Sequence, residues 1–227
     1  MRFAVYFAPP ADSDLAVAGA RWLGRDAYTD ARLPQPMVEG IAYDRIEALT
    51  TDPRRYGFHA TLKAPFTLAG SETVERLSAA FADFARQRAA FPLPLKVDRL
   101  GDFLALVPAG PSAELDRLAA DCVTAFDPFR APSPPDDLAR RRLAGLTPRQ
   151  DELLQAFGYP YVFEEFRFHM TLSQRVFGDE ADRLQRAAET HFADLLRQPV
   201  PVDTLALFVE PSPGTPFTVA ATASLAA

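Results

Sequence analysis

Cysteine is nearly absent: Cys122 is the only one in 227 residues. That excludes an internal disulfide and a zinc site built on clustered thiolates, and a reducing compartment is the expectation. Histidine is scarce as well, with His59, His169 and His191 the only three. An excess of positive charge is missing, since 24 basic residues face 30 acidic ones for a net −6. This balance argues against a general nucleic-acid wrapper and leaves only local recognition of an anion. Long apolar runs are missing too, none nearing the roughly 20 residues of a membrane helix. The short apolar run between Arg2 and Pro9 lacks the cleavage pattern of a secretory signal. A soluble, cytoplasmic protein with no membrane partner is expected. What is present is a globular composition, 48% hydrophobic and 24% charged, in a chain long enough for one large domain or two small lobes.

Residues 3–7 are β-rich and bounded by Pro9-Pro10, and residues 13–24 suit a short helix capped by Ser13 or Asp12 and ended by Gly24. Residues 56–67 alternate Phe58, Ala60 and Leu62 against His59, Thr61 and Lys63, the pattern of a strand with one buried face. Helices are expected over 71–90, with Ser71 as its cap, and over 112–126, where Cys122 falls on the apolar stripe as a core thiol. Strands are expected at 93–97 and 103–107 about a Gly101-Asp102 turn. Residues 127–135 hold four prolines and read as a linker. A helical region broken near 145–148 spans 136–157, strand character runs over 161–176, a helix covers 179–197, and the tail from 202 is β-rich. The expected architecture is α+β: two pseudo-symmetric lobes, approximately 1–126 and 136–227, each an antiparallel sheet with helices on its outer face, around a central cleft.

The strongest signal is a repeat. Phe58-His59-Ala60-Thr61-Leu62 returns 110 residues later as Phe168-His169-Met170-Thr171-Leu172, with four of five positions identical. Side chains two apart on a strand share a face, so His59 with Thr61, and His169 with Thr171, point together while their neighbours enter the core. Two imidazoles titrating near neutrality suit general acid–base catalysis, and threonine hydroxyls suit hydrogen bonding to a phosphoryl oxygen. Lys63, Arg167, Ser173 and Arg175 share the parity of the motif face and are candidates for substrate contact, unless a bulge breaks the alternation. His191 lies in an amphipathic helix and reads as a packing residue. Arg140-Arg141-Arg142 reads as a solvated helix face. Its sharper alternative is a basic lid over an anionic substrate.

The paired H-x-T-L motifs resemble the 2H phosphoesterase superfamily, which includes bacterial RNA ligase/cyclic phosphodiesterase-like proteins. The wider wording, Arg55 through Phe66, Glu165 through Leu172, and Leu138-Ala139-Arg140-Arg141-Arg142 followed by Leu146-Thr147-Pro148-Arg149-Gln150, is similar to the branch associated with phosphonate-metabolism operons. The resemblance implies a bilobal fold and metal-independent cleavage of a cyclic or related phosphodiester. It further implies His59 and His169 as catalytic pair, Thr61 and Thr171 as phosphate-binding hydroxyls, a small phosphorylated substrate as partner, and no cofactor. Two other functions remain open on the residues alone: a non-enzymatic nucleotide or phosphate sensor using the same cleft, and a metal-dependent phosphohydrolase with carboxylates from elsewhere in the chain.

Overall fold

The computed structural model describes every residue except Ala144 and Ala227. The chain opens with β1 (Arg2–Phe7), α1 (Asp14–Leu23), α2 (Tyr43–Leu49), α3 (Thr51–Tyr56) and β2 (Ala60–Phe66). It continues with α4 (Val74–Arg86), β3 (Phe91–Leu93), β4 (Leu95–Leu100), β5 (Phe103–Pro108) and α5 (Ala113–Phe126). The remainder comprises α6 (Pro135–Arg142), α7 (Pro148–Phe157), β6 (Met170–Thr171), α8 (Gly178–Phe192), β7 (Val200–Val202), β8 (Thr204–Glu210) and β9 (Thr218–Ser224).

Local chemistry sets most of these boundaries. The Ser13 hydroxyl accepts the Ala16 N–H at the start of α1, and Gly24 closes that helix at a φ of 79°. Thr73 caps α4 in place of the expected Ser71, since its hydroxyl is the one that accepts the Arg76 N–H. Thr147 and Gln150 form a capping box at α7. The helical region over 136–157 is two helices, and its Ala144 lies outside the described residues. Strand character over 161–176 shrinks to Met170–Thr171: Phe163 takes a φ of 53°, and the Ser173 hydroxyl accepts the Leu104 N–H where a strand carbonyl would.

The architecture is α+β, with a large antiparallel sheet in the order β4-β5-β6-β2-β1-β8-β9 and a small β3-β7 ribbon. Strand residues Phe3, Val5, Phe7, Ala60, Leu62, Met170 and Leu172 share one apolar core with Leu77 and Phe81 of α4, Leu118 and Cys122 of α5, and Leu184 and Phe192 of α8. Helices α4, α5 and α8 thus cover one face of the sheet, and the motif side chains lie on the opposite face. The lobes do not follow the expected chain order. β1, β2, β8 and β9 make one half of the sheet, and β4, β5 and β6 make the other. Residues 204–224 therefore return to the N-terminal strand, and the 127–135 segment, which begins as a turn at Asp127–Phe129, divides neither half. The cause is the apolar run Leu205–Val209, which together with Glu210 pairs the free edge of β1 over six successive residue pairs from Arg2 to Phe7.

Candidate active site

The two halves of the sheet meet at the repeat. β2 and β6 run antiparallel and pair at Ala60 and Met170, the residues that follow the two histidines. Carried one residue either way, this register sets His59 across from Thr171 and Thr61 across from His169. All four side chains lie on the face away from the helices, while Phe58, Ala60, Phe168 and Met170 are buried beneath. The histidines occupy a diagonal of this patch, a spacing of about 7–8 Å between diagonal neighbours. A local twofold axis thus runs between Ala60 and Met170. A cleft of about 490 Å³ opens beside it, lined by His59, Thr171, Tyr56, Phe103, Ser173 and Gln174 among others.

Each histidine is held by the same contact. Nδ1 of His59 lies 2.9 Å from the Gly57 carbonyl, and Nδ1 of His169 lies 2.7 Å from the Arg167 carbonyl. A carbonyl only accepts, so both rings carry their proton on Nδ1 and present Nε2 as a lone pair. Gly57 is required for this, because its φ of 82° aims its carbonyl back at the ring and a Cβ there would meet the Ala27 Cβ at 2.5 Å. Thr61 Oγ1 stands 3.3 Å from the His59 Nε2.

The symmetry breaks one strand away. On β1 the residue paired with Thr61 is Tyr6, and on β5 the residue paired with Thr171 is Ala105. Tyr6 stacks on the His59 ring with centroids 3.9 Å apart, whereas the His169 ring is tilted against Phe103 with centroids 5.7 Å apart. Burial under Tyr6 pushes the His59 pKa down to about 4, against a smaller rise from the Gly57 carbonyl and a further lowering from His169. Burial lowers His169 also, opposed by the Arg167 carbonyl. Both shifts favour the neutral imidazole in the free protein.

A family described as "Protein of unknown function (DUF1045)" matches residues 61–218, well over half of the chain. The chain belongs to this family. Two curated proteins similar to this DUF1045 chain are both called "Ribose 1,5-bisphosphate phosphokinase PhnN". The one from Janthinobacterium sp. (strain Marseille) is 45% identical over 95% of the chain and 49% of that protein. The one from Laribacter hongkongensis (strain HLHK9) is 41% identical over 96% and 50%. The chain therefore spans about half the length of the curated relatives it matches. Similar solved structures include TT0787 of Thermus thermophilus, 18% identical over 99% of this chain and 98% of that one with a TM-score of 0.47. E. coli LigT complexed with 3′-AMP is 15% identical over 99% and 97%, TM-score 0.46. A chain described as a phosphoesterase is 13% identical over 100% and 98%, TM-score 0.43.

The DUF1045 structure sorts the residues singled out by parity. Ser173 lines the cleft but is buried, donating to the Gln174 carbonyl and accepting from Leu104, so its hydroxyl is occupied in holding β6 against β5. Lys63 is turned away. A bulge at Leu62, visible as the register step from Tyr6–Thr61 to Val5–Lys63, sends it to the α5 side, where its Nζ lies 2.7 Å from Asp127. Arg167 is exposed, its guanidinium bonded to the Glu164 and Phe166 carbonyls, and it serves the site through its own backbone carbonyl. Arg175 lines the cleft. His191 is the packing residue expected, its Nε2 on the Ala18 carbonyl and its ring against Trp22. Tyr6, Tyr56 and Phe103 are the site residues that the parity argument missed. Tyr56 and Tyr6 flank His59, and no motif spacing marks Tyr6 because it reaches the site from another strand. Among the described residues no three His, Cys, Asp or Glu side chains converge in a way that could hold a metal ion, and no helix is long and apolar enough to cross a membrane.

Proposed function

We propose that this chain is a metal-independent phosphoesterase that opens a cyclic or related phosphodiester with His59 and His169 as its acid–base pair. The observation that carries this reading is the antiparallel crossing at Ala60 and Met170, which places two His-x-Thr pairs on one open face about a local twofold axis. A phosphate seated on that axis meets an Nε2 on either side and a threonine hydroxyl on either side. Neutral His59 takes a proton from water through Nε2, and the water oxygen bonds to phosphorus. The bond from phosphorus to one ester oxygen breaks, and protonated His169 gives that oxygen its proton. The products are a phosphate monoester and a free hydroxyl. The bound anion raises both imidazole pKa values, and His169, without a tyrosine stacked on it, is the ring that takes up the proton. Thr61 and Thr171 hydrogen-bond the non-bridging oxygens as charge builds there.

The name of the two curated relatives offers a second reading, phosphoryl transfer. The phosphate-cradling Gly-rich loop that ends in Gly-Lys is missing from this chain, since its only lysines, Lys63 and Lys96, each follow a leucine. We therefore take from the relatives' name the chemistry of the substrate, a ribose bearing phosphate groups, and assign phosphoryl transfer to the half of those proteins that this chain does not span. A cyclic phosphate on ribose is the proposed substrate, in the phosphonate-metabolism setting that the motif wording implies.

Phosphorus NMR on a panel of ribose cyclic phosphates and 2′,3′-cyclic nucleotides, with and without chelator, tests this. Wild type is expected to convert a cyclic phosphate to a monoester in chelator, and His59→Ala and His169→Ala each to lose about 10²–10⁴ in rate. Turnover that needs a metal, or that survives both substitutions, refutes the mechanism, and tight binding without turnover makes the protein a sensor.

A further inference from the structure

A second cavity, of about 200 Å³, lies along the same face of the sheet as the histidines, lined by Ala64 of β2 and by Arg2, Arg130, Arg140 and Arg141. The bulge at Leu62 brings Ala64 onto the face that carries His59 and Thr61. Three residues of strand put this cavity about 10 Å from Thr61. Of these arginines, Arg2 is paired with the buried Glu210 and Arg130 with Asp127, so the positive charge left to this cavity is that of α6.

The arginine triplet of α6 is divided by the structure. Arg142 turns away to Asp151, and Arg140 pairs with the exposed Asp137. Arg141 has no carboxylate partner among the described residues, and its guanidinium lies over the Tyr159 ring, 5.1 Å from the centroid. The Tyr159 ring in turn stands edge-on to Tyr161, with centroids 5.5 Å apart. The helix α6 buries no side chain of its own, so core packing does not account for its position.

We infer that this cavity is a binding site for a second phosphate group of the substrate, with Arg141 as its principal ligand and Arg140 beside it. The inference rests on the phosphoesterase reading and narrows it to a cyclic phosphodiester that also carries a phosphate monoester. Guanidinium groups suit this ligand because two N–H donors match two phosphate oxygens. The flat Tyr159 ring holds the Arg141 plane ready.

The test is equilibrium binding of ribose 5-phosphate, which offers one phosphate monoester and no cyclic phosphate, by titration calorimetry. Arg141→Ala is expected to weaken binding about 10-fold, equivalent to about 1.4 kcal/mol. Arg141→Lys is expected to recover part of the loss, and Arg197→Ala, which removes a charge elsewhere, to leave binding unchanged. His59→Ala and His169→Ala are expected to bind ribose 5-phosphate as wild type does. Matching thermal melts show that a variant is folded. Binding that is unaffected in Arg141→Ala, or lost instead in the histidine variants, overturns the subsite. Arginine-dependent binding with no turnover of any cyclic phosphate supports the subsite while refuting the proposed hydrolysis. On a substrate that is turned over, removing the second phosphate should raise KM about 10-fold in wild type and leave it unchanged in Arg141→Ala.

Discussion

The environment of His59 makes stability depend on acid in a way that one substitution can isolate. Stacked on Tyr6 and buried, the ring is held down to a pKa of about 4, against 6.5 for an unperturbed imidazole. The unfolded chain therefore binds a proton that the folded chain refuses between those values. The stabilisation is complete above pH 6.5 and is lost as pH falls toward 4. The full displacement is worth about 3 kcal/mol, and about 2 kcal/mol of it falls between pH 7 and pH 4.5. His59→Asn removes the titration while its side-chain amide replaces Nδ1–H on the Gly57 carbonyl. Urea unfolding at the two pH values is then measured for both proteins. Wild type should lose about 2 kcal/mol more than the asparagine variant, since every other titrating group is common to both. Equal losses, or a His59 imidazole that titrates near 6.5 by NMR, would refute the assignment of burial as the dominant force on this ring.

Two further substitutions probe what holds the site. Gly19→Ala should stabilise α1 by helix propensity alone, yet the new Cβ would stand 2.2 Å from the Phe58 ring, so destabilisation of about 1–3 kcal/mol is expected, with a fall in turnover as Phe58 drags His59. A rise in the urea midpoint would show that Phe58 moves freely. Tyr6→Phe removes a buried hydroxyl with no protein partner among the described residues while keeping the stack on His59. Its midpoint should equal or exceed that of wild type, since an unpaired buried polar group costs about 1–3 kcal/mol. A loss above about 1 kcal/mol would mean the hydroxyl is hydrogen-bonded in solution.

The parts of the fold legible in the sequence are those set by local chemistry. Ser13 by its hydroxyl and Gly24 by its left-handed backbone bound α1, and the 110-residue repeat located the histidines, the buried Phe58 and Phe168, and the shared face of His59 and Thr61. The unread helices α2 and α3 are short, and Pro53 falls inside the second, so no apolar period is long enough to register. Lys63 kept its parity on paper and lost it to one bulge, which is visible only when β2 is laid against β1. Tyr6 and Ala105 were out of reach for the same reason. Their importance comes from which residue sits across a strand pair, and pairing between segments a hundred residues apart leaves no mark on either segment alone.

The interleaving of the sheet bears on how the chain reaches this state. β1 is an interior strand flanked by β2 on one edge and β8 on the other, so a segment at residues 2–7 waits for residues 204–210 before its second edge is closed. Closing a loop of that length is slow and leaves a hydrophobic edge open to wrong partners in the meantime. By contrast, the β4–β5 hairpin forms across a single turn. During synthesis the half that presents His169 has all its strands by residue 171, whereas the half that presents His59 stays open until the last strands emerge. Nascent chains arrested before residue 204 should therefore present the His59 half as the one a chaperone must shield.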